Sequence, residues 1–410
     1  MLLGMANEEL DRRGMSVLAL AHVVDDVNQS ALPALLPFLI SGRHLSYTAA
    51  AGLMLFASLS SSIVQPLIGH LSDRRSMPWL IALGVALAGG GFALAGTMPS
   101  YFLIALCVGV SGFGIAMFHP EAARFANYVA GARKATGMRW FAVGGNVGFA
   151  LGPLLMTPAL LAFGPPGTLV MVLPAALAAL AVALELPRLE TFAPRPSAAK
   201  TSLGRDDWSA FGRLTAYVSL RSMAYIGMVA FTPLLFIDVL HVSAGVANAA
   251  LSAFLIAGAF GTIVGGRLAD RVGRRAMLLG SVALSVPLLW LLALAAGAHA
   301  PVLVALALLC ALGFALVASQ TAFVVLGQEY LPNRLGIASG VTLGLAISLG
   351  GAFSPVLGAI GDRYGLIAVL YAIVAVLLLA LVAGLTLPRT VRRAALSAAP
   401  EIPGVPALRT

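Results

Sequence analysis

Charge is the scarcest commodity in this chain: of 410 residues only 10% are charged, with 16 acids and 25 Lys or Arg. A soluble domain carries about a quarter charged residues and under half apolar ones. Here 60% are hydrophobic, so a water-facing shell over a single core is excluded. Lysine occurs only at Lys134 and Lys200. Neither lies in a G-x-x-x-x-G-K-[ST] phosphate loop, which excludes a built-in nucleotide motor. The two cysteines, Cys107 and Cys310, lie inside apolar runs and read as small buried hydrophobes. No clustered His/Cys ligands mark a metal site, and no cofactor motif is present. The opening segment MLLGMANEELDRRG lacks the short apolar core and cleavage site of a signal peptide, so the first span is expected to be retained.

What the chain has instead is long apolar runs. A membrane span needs about 20 mainly apolar residues, and a helix satisfies its own backbone in hydrocarbon. Spans are expected near 15–40, 47–69, 77–97, 100–127, 135–162 and 167–186, then near 212–238, 244–266, 276–297, 301–327, 335–360 and 366–387. The expected class is therefore an all-α membrane protein of twelve transmembrane helices in two six-helix bundles, 15–186 and 212–387. A segment 1–14, a polar linker 187–211 and a basic tail 388–410 flank them.

The net charge of +9 sits in short loops beside the spans. That distribution orients helices and gives no reason to expect nucleic acid. Arg12, Arg13, Arg74, Arg75, Arg133, Lys134, the linker, Arg271, Arg274, Arg275, Arg334 and the tail fall on one side; Arg43 and Arg363 fall on the other. Both termini and the linker are expected in the cytoplasm.

The halves repeat one another. GHLSDRR (69–75) closes the second span and GRLADRVGRR (266–275) the eighth. The run ATGMRWFAVGGNVGFALGP (135–153) has a looser partner in ASGVTLGLAISLGGAFSP (338–355). Parallel six-helix repeats with a site near the midplane are a transporter architecture.

A few polar residues interrupt the spans. On a helix of about 3.6 residues per turn, His22, Asp26, Gln29 and Pro33 share one face, with Asp25 at its edge. Such a stripe faces protein or water, not lipid. Desolvation favours a neutral carboxyl, so Asp26 is a candidate proton carrier and Asp25 a coupled neighbour; a structural ion pair is the alternative. The fourth span carries His119 and Glu121 in FHPEAAR (118–124). Glu121 reads as a second proton site or as the partner of Arg124 or Arg139, and His119 as a cavity group or a satisfied hydrogen bond. In the seventh span Tyr217, Arg221 and Tyr225 share a face. Arg221 stays charged and needs either an anionic substrate, which suits its fork, or Asp25 or Asp26 as a gate partner. Gly144, Gly145, Asn146, Gly148, Gly152 and Pro153 form a run in the fifth span that permits close helix approach.

The loops resemble the signature of the major facilitator superfamily, Gly-x-Leu-x-Asp-Arg-x-x-x-Arg. Gly266, Asp270 and Arg271 lie in the better copy; Gly69, Asp73 and Arg74 lie in a copy continuing as RSMP. Within that superfamily the chain resembles the fosmidomycin-resistance efflux family through His22, Asp26, Gln29, Ser30, QPLIGHLSDRRSMPW, FHPEAAR, VGGNVGFALGPLL, GTIVGGRLADRVGRR and QEYLPNRLGIASG. Asp25 departs from an expected Asn, and Arg139 from an expected small polar residue. The resemblance implies an inner-membrane antiporter exporting a small drug such as a phosphonate in exchange for protons. It implies a cavity lined by the first, fourth, seventh and tenth spans, which adds Gln320. It also implies a gate at the Asp-Arg loops, and a glycine-proline motif of antiporters. A monomer is expected. Uptake by proton symport would use the same residues. An intramembrane enzyme built on GVSG (109–112) is the remote alternative.

Overall fold

A computed structural model describes residues 9–74, 76–131, 133–193, 205–334, 337–338 and 340–388. The first half contains α1 (Arg12–Arg43), α2 (Tyr47–Ser62) continued by α3 (Val64–Arg74), α4 (Trp79–Ala95), α5 (Tyr101–Val129), α6 (Lys134–Phe163) and α7 (Val172–Glu190), the last entered through a 3₁₀ turn, Pro165–Met171. The second contains α8 (Trp208–Asp238), α9 (Ala244–Val272), α10 (Arg274–Gly297), α11 (Val302–Val317) continued by α12 (Gln320–Tyr330), α13 (Ala346–Tyr364) after a π turn at Gly340–Leu345, and α14 (Leu366–Leu385). Counting α2–α3 and α11–α12 as single paths makes twelve segments, six per half. Among the described residues nine are long and apolar enough to span by themselves, and Trp79–Ala95 is a shorter apolar helix. The remaining two are α1, diluted by its charges, and the segment containing α13.

Local chemistry sets several boundaries. Asp11 caps α1 by accepting from the Gly14 amide, and Asp207 caps α8 by accepting from Ala210, which begins the second bundle at Trp208 rather than 212. The sixth span runs past 186 to Glu190 because Arg188 is held by Asp11 (2.7 Å) and Glu185 (2.9 Å). The Asp11 amide donates to Val129 and the Asp207 amide to Tyr330. Arg275 donates to the carbonyls of Leu385 and Leu387. The beginning and end of each bundle thus meet at one end of the molecule, as an even number of crossings requires. The linker residues 194–204 and the tail from 389 lie outside the described residues.

The glycine run of α6 is the tightest seam. A Cβ on Gly144, Gly148 or Gly152 would collide with the carbonyl of Ala19, Val23 or Val27 respectively. The spacing of four residues on both helices keeps the backbones in contact over more than two turns, the small-residue packing used inside membranes.

Between the halves, α2 packs along α13, where Gly351 accepts Ser58 and Gly358 accepts Thr48. The described hydrogen bonds across this divide lie at the end remote from the termini. Tyr47 donates its hydroxyl to Asp238 (2.6 Å) and its amide to Asp362 (2.7 Å). Thr48 donates its amide (3.0 Å) and hydroxyl (2.6 Å) to Asp362. Asn248 on α9 reaches Thr157 on α6 (2.9 Å) and the Ala34 carbonyl on α1 (3.3 Å).

Because the α1–α6 seam has no space to yield, Gly148→Leu is expected to destabilise the protein by about 3 kcal/mol or more, the upper range of overpacking. Gly109→Ala, where a Cβ meets nothing within 4 Å, is expected to leave thermal unfolding in detergent unchanged. Equal melting temperatures for both variants would show that the seam tolerates separation.

Candidate functional site

The polar stripe of α1 meets His119 of α5 in one buried cluster. His22 and Asp26, one turn apart, approach at 3.4 Å (Nε2 to Oδ2). His119 reaches both acids, Nδ1 to Asp25 Oδ2 at 3.4 Å and Nε2 to Asp26 Oδ1 at 3.4 Å. Asp25 is fully buried, while His22 and Asp26 are each 7% exposed. Among the described residues, neither Asp25 oxygen nor Asp26 Oδ1 accepts a hydrogen bond of good geometry. The side chain of His119 is 27% exposed, the most open of the four groups.

Neighbouring backbone aims both rings. His22 Nδ1 lies 2.9 Å from the Phe141 carbonyl, and its ring stacks on Phe141 with centroids 4.1 Å apart. His119 Nδ1 lies 3.0 Å from the Ile115 carbonyl one turn earlier on α5. Gly145 supplies the room: a Cβ there would fall 2.6 Å from His22 Nε2 and 2.7 Å from Asp26 Oδ2. The glycine run therefore has two uses, seating α6 on α1 and leaving space beside the ionisable groups.

Toward the remote end of the stripe is a cavity lined by Asn28, Gln29, Ser58, Ser61 and Ser111, with Ile226 and Val229 of α8 closing it from the second half. Its wall also includes Ile115, so the cluster lies about one helical turn away on the side of the termini. Small hydroxyls, one amide pair and apolar side chains make a lining fit for a small amphipathic molecule.

Other candidates separate from this group. Glu121 is buried, pairs with Arg124 at 2.7 Å and accepts the Met77 amide at 2.9 Å; it ties α5 to the loop after α3 rather than joining the Asp pair. Arg139 is exposed, as is Asn146, while Pro153 is buried in α6. Tyr217 donates to the Leu278 carbonyl (2.7 Å) and is fully buried, so it belongs to the interior of the second bundle and not to the cavity face. Arg221, only 4% exposed, donates to the Leu316 carbonyl at 2.9 Å. That carbonyl belongs to the last turn of α11, where intrahelical donors run out. The guanidinium lies 5.7 Å from the Tyr225 ring and 5.3 Å from that of Phe323. Among the described residues no carboxylate pairs with it, so the structure does not unite it with Asp25 or Asp26. Gln320 is half-buried at the first residue of α12, directly after the break in the tenth span.

The two signature loops are unequally visible. The side chains of Asp73 and Arg74 lie outside the described residues, whereas a Cβ added at Gly69 would lie 4.0 Å from Pro120. In the second copy Gly266 packs near Thr321, and Asp270 and Arg271 are exposed. The contacts there come from Arg274, paired with Glu329, and from Arg275 on the end of α14. Ser111 of the GVSG run donates to the Ala88 carbonyl at 2.7 Å, which makes it a helix-packing hydroxyl.

Inspection of the sequence missed three features. The convergence of His22, Asp26 and His119 within 4.8 Å is invisible along a chain that separates them by almost a hundred positions. The Tyr47–Asp238–Asp362 and Asn248–Thr157 links also arise only between distant segments. Asp238 is the last residue of α8 and Asp362 lies in the last turn of α13.

Comparison with known proteins agrees with this architecture. The family description "Major Facilitator Superfamily" matches residues 18–355. Over 366 residues the chain is 32% identical to an uncharacterized MFS-type transporter, YfnC, of Bacillus subtilis (strain 168), covering 87% of this chain and 88% of that protein. It is 30% identical over 356 residues to the fosmidomycin resistance protein of Escherichia coli (strain K12), covering 85% and 86%. Among solved structures, a bacterial homologue of the human lysosomal transporter Spinster, inward-facing and unoccupied, superposes with TM-score 0.72 at 15% identity over 91% of this chain and 97% of that one. The nucleoside transporter NupG superposes with TM-score 0.72 at 12% identity, covering 91% and 99%. The chain is a multi-pass membrane protein, and it belongs to the major facilitator superfamily of transporters.

Proposed function

We propose that the protein is a proton-coupled antiporter of the bacterial inner membrane, both termini cytoplasmic, which exports a small drug or organic anion by alternating access as a monomer. The observation that carries this reading is the buried group of four ionisable side chains, His22, Asp25, Asp26 and His119, one turn from a cavity between the bundles. Ionisable residues inside a membrane protein are costly and mark ion pathways. The 30% identical relative named for fosmidomycin resistance supports a phosphonate as cargo.

Several contacts suit the steps of this cycle. Remote-end closure is held by Tyr47, Thr48, Asp238 and Asp362, and by Asn248 with Thr157. Breaking those bonds as the bundles rock exposes the cavity on that side. A proton arriving on the Asp26–His119 contact changes the charge on α1, and with it the relative cost of the two conformations. Export needs proton entry from the remote side and cargo entry from the side of the termini. Basic loops at the termini support a cytoplasmic side there. Arg221 offers a buried cation in the second bundle that no carboxylate pairs among the described residues.

Two measurements test this. In vesicles of known orientation with an imposed pH gradient, wild-type protein is expected to move fosmidomycin against the direction of proton flow. Movement of cargo together with protons would replace export by symport. Asp26→Asn is expected to lose uphill transport at least tenfold while keeping energy-independent exchange. Undiminished uphill flux would remove Asp26 from the coupling. Arg221→Lys keeps the charge but loses the planar fork, so anionic cargo is expected to suffer more than neutral cargo; equal losses for both would make Arg221 a structural cation.

A further inference from the structure

The hydrogen-bonding pattern of the two histidines carries an inference that does not depend on the direction or cargo of transport. His22 Nδ1 faces the Phe141 carbonyl at 2.9 Å, and His119 Nδ1 faces the Ile115 carbonyl at 3.0 Å. A carbonyl only accepts, so Nδ1 carries the hydrogen in both rings, and a neutral imidazole then presents its lone pair at Nε2. Both Nε2 atoms point at one carboxylate, each 3.4 Å from a different oxygen of Asp26. Lone pairs so arranged repel unless a cation lies among them.

Spacing says which cation fits. Charge-assisted N–H···O contacts close to about 2.7–2.9 Å, shorter than the contacts found. Ligands around a tetrahedral ion with bonds of about 2.0–2.1 Å stand about 3.3–3.4 Å apart, and each Nε2 stands 3.4 Å from one Asp26 oxygen. The ligand atoms of His22, Asp26 and His119 all lie within 4.8 Å of one another. A second observation points the same way: Asp26 Oδ1 and both oxygens of the fully buried Asp25 have no hydrogen bond of good geometry. Asp25 lies 3.4 Å from His119 Nδ1, the atom away from the ion. Its charge stands behind the ligating ring, where outer support of such a site is usual, while the Nδ1 hydrogen itself goes to the Ile115 carbonyl.

We propose that His22, Asp26 and His119 bind one divalent transition-metal ion of the zinc, cobalt or nickel class, with Asp25 orienting His119. Two imidazoles and one carboxylate suit these ions, whereas magnesium and calcium prefer oxygen alone. Three protein ligands leave a fourth position for water or an incoming molecule, and the partly exposed His119 gives the entry. A bound ion ties α1 to α5 and occupies the atoms to which the transport reading assigns protons, so it is expected to arrest transport.

The test uses the full-length protein in detergent, stripped with a chelator. Titration with zinc chloride by calorimetry is expected to give one ion per chain, and cobalt(II) the visible spectrum of a tetrahedral site. His119→Gln and Asp26→Asn should each weaken zinc binding at least a hundredfold, and Asp25→Asn ten- to a hundredfold, as outer partners do. The stacked surface pair His241 and His299, with ring centroids 6.3 Å apart, is the internal control: replacing both by Gln should leave the affinity unchanged. Absence of stoichiometric binding overturns the proposal. So does binding that survives His119→Gln and disappears with the surface pair. If His119→Gln does not fold, the near-isosteric Asp26→Asn decides, with unchanged affinity counting against the site. Transport assayed with chelator present reports on proton coupling alone, so either reading can fail without the other.

Discussion

Two adjacent carboxylates in the first helix impose the constraint around which the first bundle is organised. Moving an ionised carboxylate from water to a dry interior costs several kcal/mol even after relaxation. Asp25 and Asp26 are both buried, and within hydrocarbon no water offsets that cost. They persist because α5 brings His119 between them and α1 itself brings His22 against Asp26. Nδ1 of each ring is also anchored to a backbone carbonyl. The cluster is over-determined on the histidine side and under-satisfied on the carboxylate side, which suits a site that takes up and releases a cation.

That arrangement depends on packing elsewhere. If α6 stood even one methyl group further from α1, Phe141 would leave the His22 ring and its carbonyl would leave Nδ1. The glycines that seat the two helices therefore act on the chemistry as well as on stability. Gly145 makes the link direct, because the space it leaves is the space beside His22 and Asp26. A motif that looks from composition like generic helix packing thus has a local function in holding the ionisable groups.

The two bundles divide the polar work unequally. The first holds four convergent ionisable groups; the second holds Arg221, wrapped by aromatic rings and bonded to a carbonyl freed by a helix end. Among the described residues, cross-bundle hydrogen bonds gather at the end away from the termini. Single hydrogen bonds of this kind can be exchanged for others at modest cost, whereas the α1–α6 seam cannot. Rigid bundles joined by exchangeable bonds are the mechanical requirement for rocking around a central site.

Sequence alone determined the solvent. Low charge, long apolar runs and basic loops require a polytopic helical protein, and the period of the first span put His22, Asp26 and Gln29 on one face. These are local properties, readable because hydrocarbon forces every backbone group to pair within its own helix. What local reading could not decide was which polar residues share a site. Glu121 and His119 stand two positions apart, yet one joins Arg124 and the other joins Asp25 and Asp26. Tyr217 and Tyr225 share a helical face, yet the first is sealed in the bundle interior by Leu278. A helix presents its stripe to several neighbours at once, and which neighbour comes closest is set by the packing of all twelve segments. Only the tertiary structure decides that.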